Sequence, residues 1–592
     1  MILLERGAAC DFLLVSGDAW VDHPSFGAAV IAHTLSAEGF SVAVLAQPAW
    51  ESTADFAAYP RPRLAVMVTG GNLDSMVAHY TVAKRRRERD FYTPGGVTGR
   101  RPDRAAAVYS ALARQAFPGL PLVLGGLEAS LRRFAHYDYW SDGVRPSLLA
   151  ETGADVLVYG MGERAVREIA RRLSRSEGLE DIRGTCTYHA AKATLPRDAV
   201  ACPSLEACKA DKRKYLEAAL LQYGEHDPVR GRTLVQAHGA GAVVCYPPAR
   251  PLTAAELDAV AAYSYTRLPD PAYTEPVPAL EEVRFSVIHN RGCFGSCRFC
   301  SLAFHQGRFV SARSHASVLH EIGALTREPD FKGYIHDIGG PTANFRHNAC
   351  AQQAKRGACR DRACLTPEPC PKLDAGHSDF LTLLRKARKV PGVKKAFVRS
   401  GIRYDYLLLD KSRACLQELA EHHTSGQLKV APEHCVDTVL RHMGKPKWIV
   451  FERFSKAFKT ASEAAGKKQF LVPYLISSHP GATLDDAIEM ALTLKRQGRH
   501  PEQVQDFYPT PGTLSTCMYY TGLDVQTRKP IFVAKTPGDK AMQRALLQWK
   551  NQKNKPLVIA ALRKAGREDL IGVFYPRKRE GGKRPEAGKP RR

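Results

Sequence analysis

Ile288-His-Asn-Arg-Gly-Cys-Phe-Gly-Ser-Cys-Arg-Phe-Cys-Ser-Leu302 is the stretch around which the rest of the chain is organised. The alternating run ahead of it, Val283-Arg-Phe-Ser-Val-Ile288, predicts a β-strand entering a glycine-rich loop. In that loop Cys293, Cys297 and Cys300 follow a Cys-x3-Cys-x2-Cys spacing. Thiolates are soft ligands that hold iron–sulfur clusters, and such clusters usually take four of them. A compact set of three suggests that one iron of a four-iron cluster stays open to another ligand. The plainer alternatives are three buried thiols or a zinc knuckle, for which His289 or His305 could supply the fourth ligand.

The stretch resembles the cluster loop of radical S-adenosylmethionine (SAM) enzymes. The resemblance implies that Cys293, Cys297 and Cys300 hold a [4Fe-4S] cluster whose fourth iron is chelated by the SAM amino and carboxylate groups. It also places Phe299 at the aromatic position set against the adenine. Downstream, Gly333-Tyr-Ile-His-Asp-Ile-Gly-Gly-Pro-Thr-Ala-Asn344 reads as a strand ending in paired glycines. Gly339 and Gly340 match the pair whose backbone meets the SAM amino group, where glycine permits close approach.

Working outward, the segment from about 279 to 545 reads as a βα repeat. Its strands are expected over Lys395–Asp405, Gln427–His434 and Phe470–Gly481, each leading to a helical segment. Polar strand ends line the mouth of such a partial barrel. Arg399, Ser400 and Arg403 are candidates to hold the SAM carboxylate or ribose, and Lys429, Glu433 and His479 face the same region if the register holds. Ser478-His-Pro-Gly-Ala-Thr483 and Phe507-Tyr-Pro-Thr-Pro-Gly-Thr513 look like segments of the methylthiotransferase branch.

An insertion over 347–376 carries Cys350, Cys359, Cys364 and Cys370 in a polar, basic setting with little to make a core. Four thiolates so close in sequence fold such a loop by binding metal, as an auxiliary iron–sulfur cluster or a four-cysteine zinc site. Disulfides are the alternative. Seven of the fifteen cysteines gather between residues 293 and 370, which favours metal in a reducing compartment. The scattered cysteines read as small buried hydrophobes.

Residues 1–175 alternate near-continuous apolar strands with helices, the pattern of a parallel sheet covered on both faces. The runs Phe12–Val15, Ser41–Leu45, Leu64–Val68, Pro121–Leu124 and Val156–Tyr159 carry it, and several end in small or polar residues such as Gly17-Asp18, Gly70-Gly71-Asn72 and Gly125-Gly126. Ligands of open α/β sheets bind at such ends. The layout resembles the flavodoxin-like, cobalamin-binding domain that precedes some radical SAM cores. The Asp-x-His-x-x-Gly cobalt-ligand motif is absent, because Asp22 and His23 are adjacent and Gly27 lies one residue too far on. Between 93 and 145, glycine turns beside Arg, Tyr and Asp are expected as exposed loops that could build a substrate pocket.

The expected architecture is therefore α/β, with an N-terminal flavodoxin-like, doubly wound sheet followed by a radical SAM partial (βα) barrel. A connecting region spans 176–278, a C-terminal helical extension 546–575 and a basic disordered tail 576–592. Together the motifs resemble the YgiQ-type radical SAM proteins over nearly the whole chain to about 575. The resemblance implies SAM, a [4Fe-4S] cluster, a flavodoxin- or ferredoxin-like electron donor and a 5′-deoxyadenosyl radical acting on a substrate that it does not identify.

Composition bounds the rest. At 592 residues and 44% hydrophobic content the chain is an ordinary globular protein of several domains. No basic stretch followed by a long apolar run opens it, and no apolar segment is long enough for a membrane span, so a cytoplasmic location is expected. The formal charge is +25, of which the tail from Arg577 carries eight Lys/Arg against two Glu. Such a field attracts polyanions. It supports one alternative, an RNA-associated protein with a structural cluster; cobalamin-dependent methylation is the other.

Overall fold

The structure is a computed structural model that describes residues 7–190, 196–501 and 504–576. The tail expected to be disordered lies outside these residues from Arg577 onward.

A nine-stranded sheet dominates the N-terminal half. Strands β1 (Phe12–Ser16), β2 (Val42–Ala46), β3 (Ala65–Thr69) and β4 (Leu122–Gly125) are parallel, and a small antiparallel hairpin of β5 (His136–Asp138) and β6 (Gly143–Arg145) stands apart from them. With β7 (Val156–Val158) the parallel part runs in the order β2-β1-β3-β4-β7. Apolar runs buried on both faces explain the strands: Leu13, Val15, Val66 and Val68 enter one core, while Phe12, Leu14, Ala65 and Met67 enter the other. This is the two-sided burial that a parallel sheet requires.

The sheet does not stop where the parallel pattern ends. Strands β8 (Thr185–Ala190), β9 (Val200–Cys202), β10 (Leu234–His238) and β11 (Gly241–Cys245) extend it in the order β7-β8-β11-β10-β9. The segment expected as a connecting region thus supplies four strands of the same sheet. The missed signal is Leu234-Val-Gln-Ala-His-Gly-Ala-Gly-Ala-Val-Val-Cys245, two apolar-rich runs around Gly239-Ala240, which pair antiparallel from Leu234↔Cys245 to His238↔Gly241.

The loops of 93–145 are also more buried than expected. Arg101 is enclosed between Asp18 and Asp90, and Arg132 pairs with Asp74. Glu128 accepts from the amides of Ser75 and Ala106. Charged groups at these positions are tolerated inside because each finds an opposite charge or a backbone partner. These groups brace the sheet ends, while Val97, Arg100 and Asp142 of the same loops stay exposed.

The second half is a βα repeat of short strands. Its first strand, β12 (Ser286–Ile288), is preceded by a helical turn over Pro278–Val283, so the expected strand starts three residues late. Pro278 in the first helical turn explains this. A two-residue ladder of β13 (Asn290–Arg291) and β14 (Ser311–Ala312) closes the cysteine loop. Strands β15 (Tyr334–Ile335), β16 (Asp337–Gly339) and β17 (Lys395–Ala396) follow; β12 pairs parallel with β16, and β15 with β17. The strand expected over 395–405 ends early because the Asp337 carboxylate takes the amides of Arg399 and Ser400 at 2.7 and 3.2 Å. Those amides are then unavailable to a neighbouring strand, and a helix begins at Tyr404. Strands β18 (Gln427–Glu433), β19 (Phe470–Ser477) and β20 (Gln505–Asp506) complete the half.

The strand residues Val287, Ile338, Leu428 and Val430, with Val398 just past β17, pack against helices in one core around Phe380, Phe451 and Phe454. Helix Pro537–Leu547 packs between helix Leu484–Arg496 and helix Lys555–Lys564 in a separate C-terminal cluster. Among the described residues no helix is long and apolar enough to cross a membrane.

Candidate functional site

The cysteine loop leaves β12 and lies over the carboxyl ends of the barrel strands. Cys293 Sγ is 3.4 Å from Thr342 Oγ1, and the Cys300 amide donates to the Cys297 carbonyl at 3.2 Å. The guanidinium of Arg403 reaches Cys297 Sγ at 3.3 Å through Nη1 and holds Asp405 through Nε and Nη2 at 2.8 and 2.6 Å. Burial alone would lower the Arg403 pKa, but Asp405 and the two nearby thiols hold it well above its ordinary value. A permanent cation therefore sits beside the loop. Burial pushes the Cys300 thiol up to about 12, with the Cys297 and Cys293 sulfurs adding to the effect, and burial also raises Cys293. Ligation by these groups must displace their protons, which couples metal binding to pH.

Two glycines make room at this mouth. A Cβ at Gly295 would collide with the Arg403 guanidinium and crowd the Cys293 sulfur, and one at Gly340 would strike the Asn290 carboxamide. Asn290 is buried and donates to the carbonyls of Thr342 and Phe345 at 2.9 and 2.5 Å. It pins the Gly339–Gly340 turn under the cysteine loop. The Gly340 amide points at Ser400 Oγ at 3.4 Å, and Asn344 fixes Arg403 by accepting from its amide at 2.9 Å.

The structure thus brings Cys293, Cys297, Cys300, Gly339, Gly340, Ser400 and Arg403 to one mouth. Phe299 stands edge-on to His479 with ring centroids 6.3 Å apart. His479 itself is buried and committed to Ser515 Oγ at 2.7 Å, while Lys429 and the Arg399 side chain are exposed. Glu433 is buried in a left-handed backbone conformation (φ 70°) with Lys445 Nζ at 3.8 Å, and burial raises its pKa. His289, a candidate fourth ligand of a zinc knuckle, is committed to the Ala343 carbonyl at 2.9 Å. Asn290, Thr342, Asp337 and Asp405 were not singled out from sequence. The first lies inside the cysteine stretch and the next two inside the glycine-pair strand, so proximity to those motifs was the available signal.

The donor set suits a four-iron cluster in its chemistry: three soft thiols on one loop, a buried cation against one of them, and missing side chains where space is needed. Among the described residues no three His, Cys, Asp or Glu side chains already converge as a finished ion site. The thiols are within electrostatic reach of one another without closing on a common point.

A cavity of about 360 Å3 lies between the two halves. On one side it is lined by the carboxyl ends of β1, β3, β4 and β7, with Asp18, Asn72 and Gly126 among its walls. On the other it meets Leu302, His305 and Gln306 from the cysteine loop's downstream arm and Gly340 from the glycine pair. Burial raises the Asp18 carboxyl to about 6, although Arg101 beside it pulls the other way. Burial holds His305 down to about 4, so it is neutral near pH 7, and its Nδ1 has no hydrogen-bond partner among the described residues. His23 does not open onto this space: its Nε2 meets Arg267 Nη1 at 2.9 Å and its Nδ1 accepts from the Ser25 amide. Glu163 and Arg291 pair across the halves, and the Arg133 guanidinium lies 3.7 Å over the Phe304 ring. The first of these pairs lies in the cavity wall.

Residues 4–286 match the family described as Radical SAM N-terminal, and residues 502–577 match a domain of unknown function, DUF3362. Among solved structures, the chain resembles the radical SAM methyltransferase TsrM from Kitasatospora setae with cobalamin and a [4Fe-4S] cluster bound, at 14% identity and a TM-score of 0.46, covering 94% of this chain and 100% of that one. It also resembles the cobalamin-dependent SAM radical enzyme OxsB at 12% identity and a TM-score of 0.44, covering 94% of this chain and 62% of that one. A UPF0313 protein of Clostridium perfringens is 50% identical over 576 residues, which is 96% of this chain and 87% of the relative. One from Clostridium botulinum is 50% identical over 567 residues, 95% of this chain and 88% of the relative. With half of its residues shared across nearly its full length, and in keeping with its resemblance to the YgiQ-type radical SAM proteins, the protein belongs to the UPF0313 family.

Proposed function

We propose that the protein is a radical SAM enzyme that reductively cleaves SAM and uses the resulting 5′-deoxyadenosyl radical on a substrate bound at the barrel mouth. The observation that carries the reading is the assembly of Cys293, Cys297 and Cys300 against the Gly339–Gly340 turn, with the buried Arg403 cation on Cys297. When bound, a [4Fe-4S] cluster supplies the electron that breaks the SAM sulfonium bond. The chain's own residues do the rest. Cys293, Cys297 and Cys300 hold the cluster, and Arg403 offsets the negative charge of its thiolates. Gly339 and Gly340 offer backbone where a side chain would block the SAM amino group. Asp337 holds the Arg399–Ser400 turn against that position. Phe299 and Phe294 carry apolar surface beside the loop and help to keep water from it. The electron donor is expected to be a flavodoxin- or ferredoxin-like protein.

The test is anaerobic reconstitution and reduction of the full chain, with 5′-deoxyadenosine and methionine measured after SAM is added. Absence of cleavage by a cluster-loaded protein would sink the reading. The Cys297→Ala variant is expected to lose both the cluster and the cleavage.

One observation favours a second reading within the same enzyme class. The interdomain cavity opens at the strand ends where α/β sheets hold ligands and also meets the cysteine loop, a position suited to a corrinoid used in methylation. His23 is engaged elsewhere, so a corrinoid here is expected to be held without it as a cobalt ligand. An absorption spectrum of the protein reconstituted with hydroxocobalamin and freed of excess by gel filtration separates the two readings.

A further inference from the structure

The insertion of residues 347–376 has almost no apolar interior of its own. Its buried hydrophobic residues are Ala349, Ala358 and Leu365. Burying three side chains of this size cannot offset the entropy of ordering thirty residues, at about 1–2 kcal/mol of backbone entropy per residue. The segment is nevertheless folded against both halves of the molecule. Its two ends are tied by the Asp374 amide on the Ala349 carbonyl at 2.8 Å, and Cys370 donates to the Cys364 carbonyl at 2.9 Å. Asp227 takes the Ala358 amide at 2.8 Å, and Arg230 donates to the Ala358 carbonyl at 2.8 Å through Nη2. On the other side Leu365 and Cys364 pack into the small core of Phe294, Phe345 and Tyr406 that underlies Cys293.

Backbone bonds draw its four cysteines onto one short, cross-tied loop, although among the described residues their thiols do not yet close on a common point. The Cys350 carbonyl takes the Gln353 amide at 3.1 Å, Cys359 follows the anchored Ala358, and the Cys370 amide is bonded to the Cys364 carbonyl. An independent feature points to an anion at the same place. Arg308 is 8% exposed, its guanidinium lies 5.1 Å over the Tyr223 ring, and its Nη2 has no hydrogen-bond partner among the described residues. Its backbone carbonyl is tied to the insertion by Gln353 Nε2 at 2.9 Å. The carboxylates that meet this side of the insertion are already taken: Glu225 pairs with Arg232 and Arg360, and Asp227 holds the Ala358 amide and faces Arg230. A buried guanidinium without a counter-charge is costly. A metal centre bound by four thiolates is net anionic and would supply the missing charge.

We propose that Cys350, Cys359, Cys364 and Cys370 form a second, tetrathiolate metal centre, with the buried guanidinium of Arg308 as its charge partner. Each thiol gives up its proton to solvent as it ligates, and the metal takes the place of the missing hydrophobic core. A zinc ion and an iron–sulfur cluster share this donor chemistry, and the test tells them apart.

The full-length chain is purified anaerobically with Cys293→Ala, Cys297→Ala and Cys300→Ala combined, which removes the first site and makes the outcome independent of the SAM reading. The folded triple variant, checked by circular dichroism and melting, is expected to retain about one zinc ion or about four iron ions with matching sulfide per chain. Adding Cys364→Ala is expected to abolish that metal. A folded triple variant without metal, metal unaffected by Cys364→Ala, or recovery of the four thiols as disulfides would overturn the proposal. In the triple background Arg308→Gln is expected to speed metal loss to a chelator several-fold; an unchanged rate would overturn the role given to Arg308.

Discussion

The sheet half and the barrel half both alternate strands with helices, yet they are finished in different ways. In the sheet half, five adjacent parallel strands bury side chains on both faces and pair in continuous register. In the barrel half most strands are two or three residues long, and only the outward face is packed. Its inner face presents Tyr334, Phe470 and Tyr474 at 42%, 56% and 42% exposure. The faces of the sheet are filled by its own side chains, whereas part of the barrel's strand surface is left to solvent. Local stability is lowest where a fold must admit a ligand.

The largest test of this contrast is chemical. Cys297→Ala should bring SAM cleavage to background while the sheet half keeps its protection in hydrogen exchange; loss of protection in both halves would mean that the cluster loop supports the whole molecule. Next come matched core truncations. Phe454→Ala in the barrel and Leu13→Ala in the sheet, both fully buried, should each cost about 2–5 kcal/mol in denaturant unfolding. SAM added to the cluster-loaded protein should restore up to about 2.7 kcal/mol at a hundredfold excess over Kd to the barrel variant. If unfolding is one cooperative transition, the sheet variant gains equally, and that would erase the distinction between the halves.

Acid should strike next. Burial lowers His289, His434 and His479 to about 3. Their folded pKa lies below the ordinary value near 6.5, so the unfolded chain takes up these protons first. Stability is therefore expected to fall as pH drops from 6.5 toward 3, by about 1.4 kcal/mol per unit for each histidine. Urea midpoints between pH 7 and 5 read this out, and a flat profile would show that these rings are not buried neutral. The smallest effect is local: Gly340→Ala pushes on Asn290 and should weaken SAM binding about tenfold, about 1.4 kcal/mol, with little change in melting.

Legibility from sequence followed the same division. The parallel strands were readable because each is an apolar run such as Ala65-Val-Met-Val-Thr69, and two-sided burial leaves no polar face to confuse the period. Thr185–Ala190 mixes polar with apolar residues and Val200–Cys202 is three residues long, so neither shows a clear period, and four of the sheet's nine strands read as connection. At the site, the cysteines and the glycine pair were legible because their chemistry restricts the residue type. Asn290 and Asp405 were not, because a buried amide or carboxylate is chosen by the donors and acceptors that surround it, and those come from distant segments.

The sequence by itself determined the chemistry class, since three thiols at fixed spacing and two adjacent glycines carry their meaning in residue identity. It also determined the parallel core of the sheet through hydrophobic runs. Only the tertiary structure decided that Arg403 faces Cys297, that a cavity opens between the strand ends and the cysteine loop, and that Arg308 is buried against the insertion with an Nη2 that has no hydrogen-bond partner among the described residues. Each of these joins residues far apart along the chain, and the free energy of such a contact depends on burial and on opposing charge, which exist only once the halves have packed together.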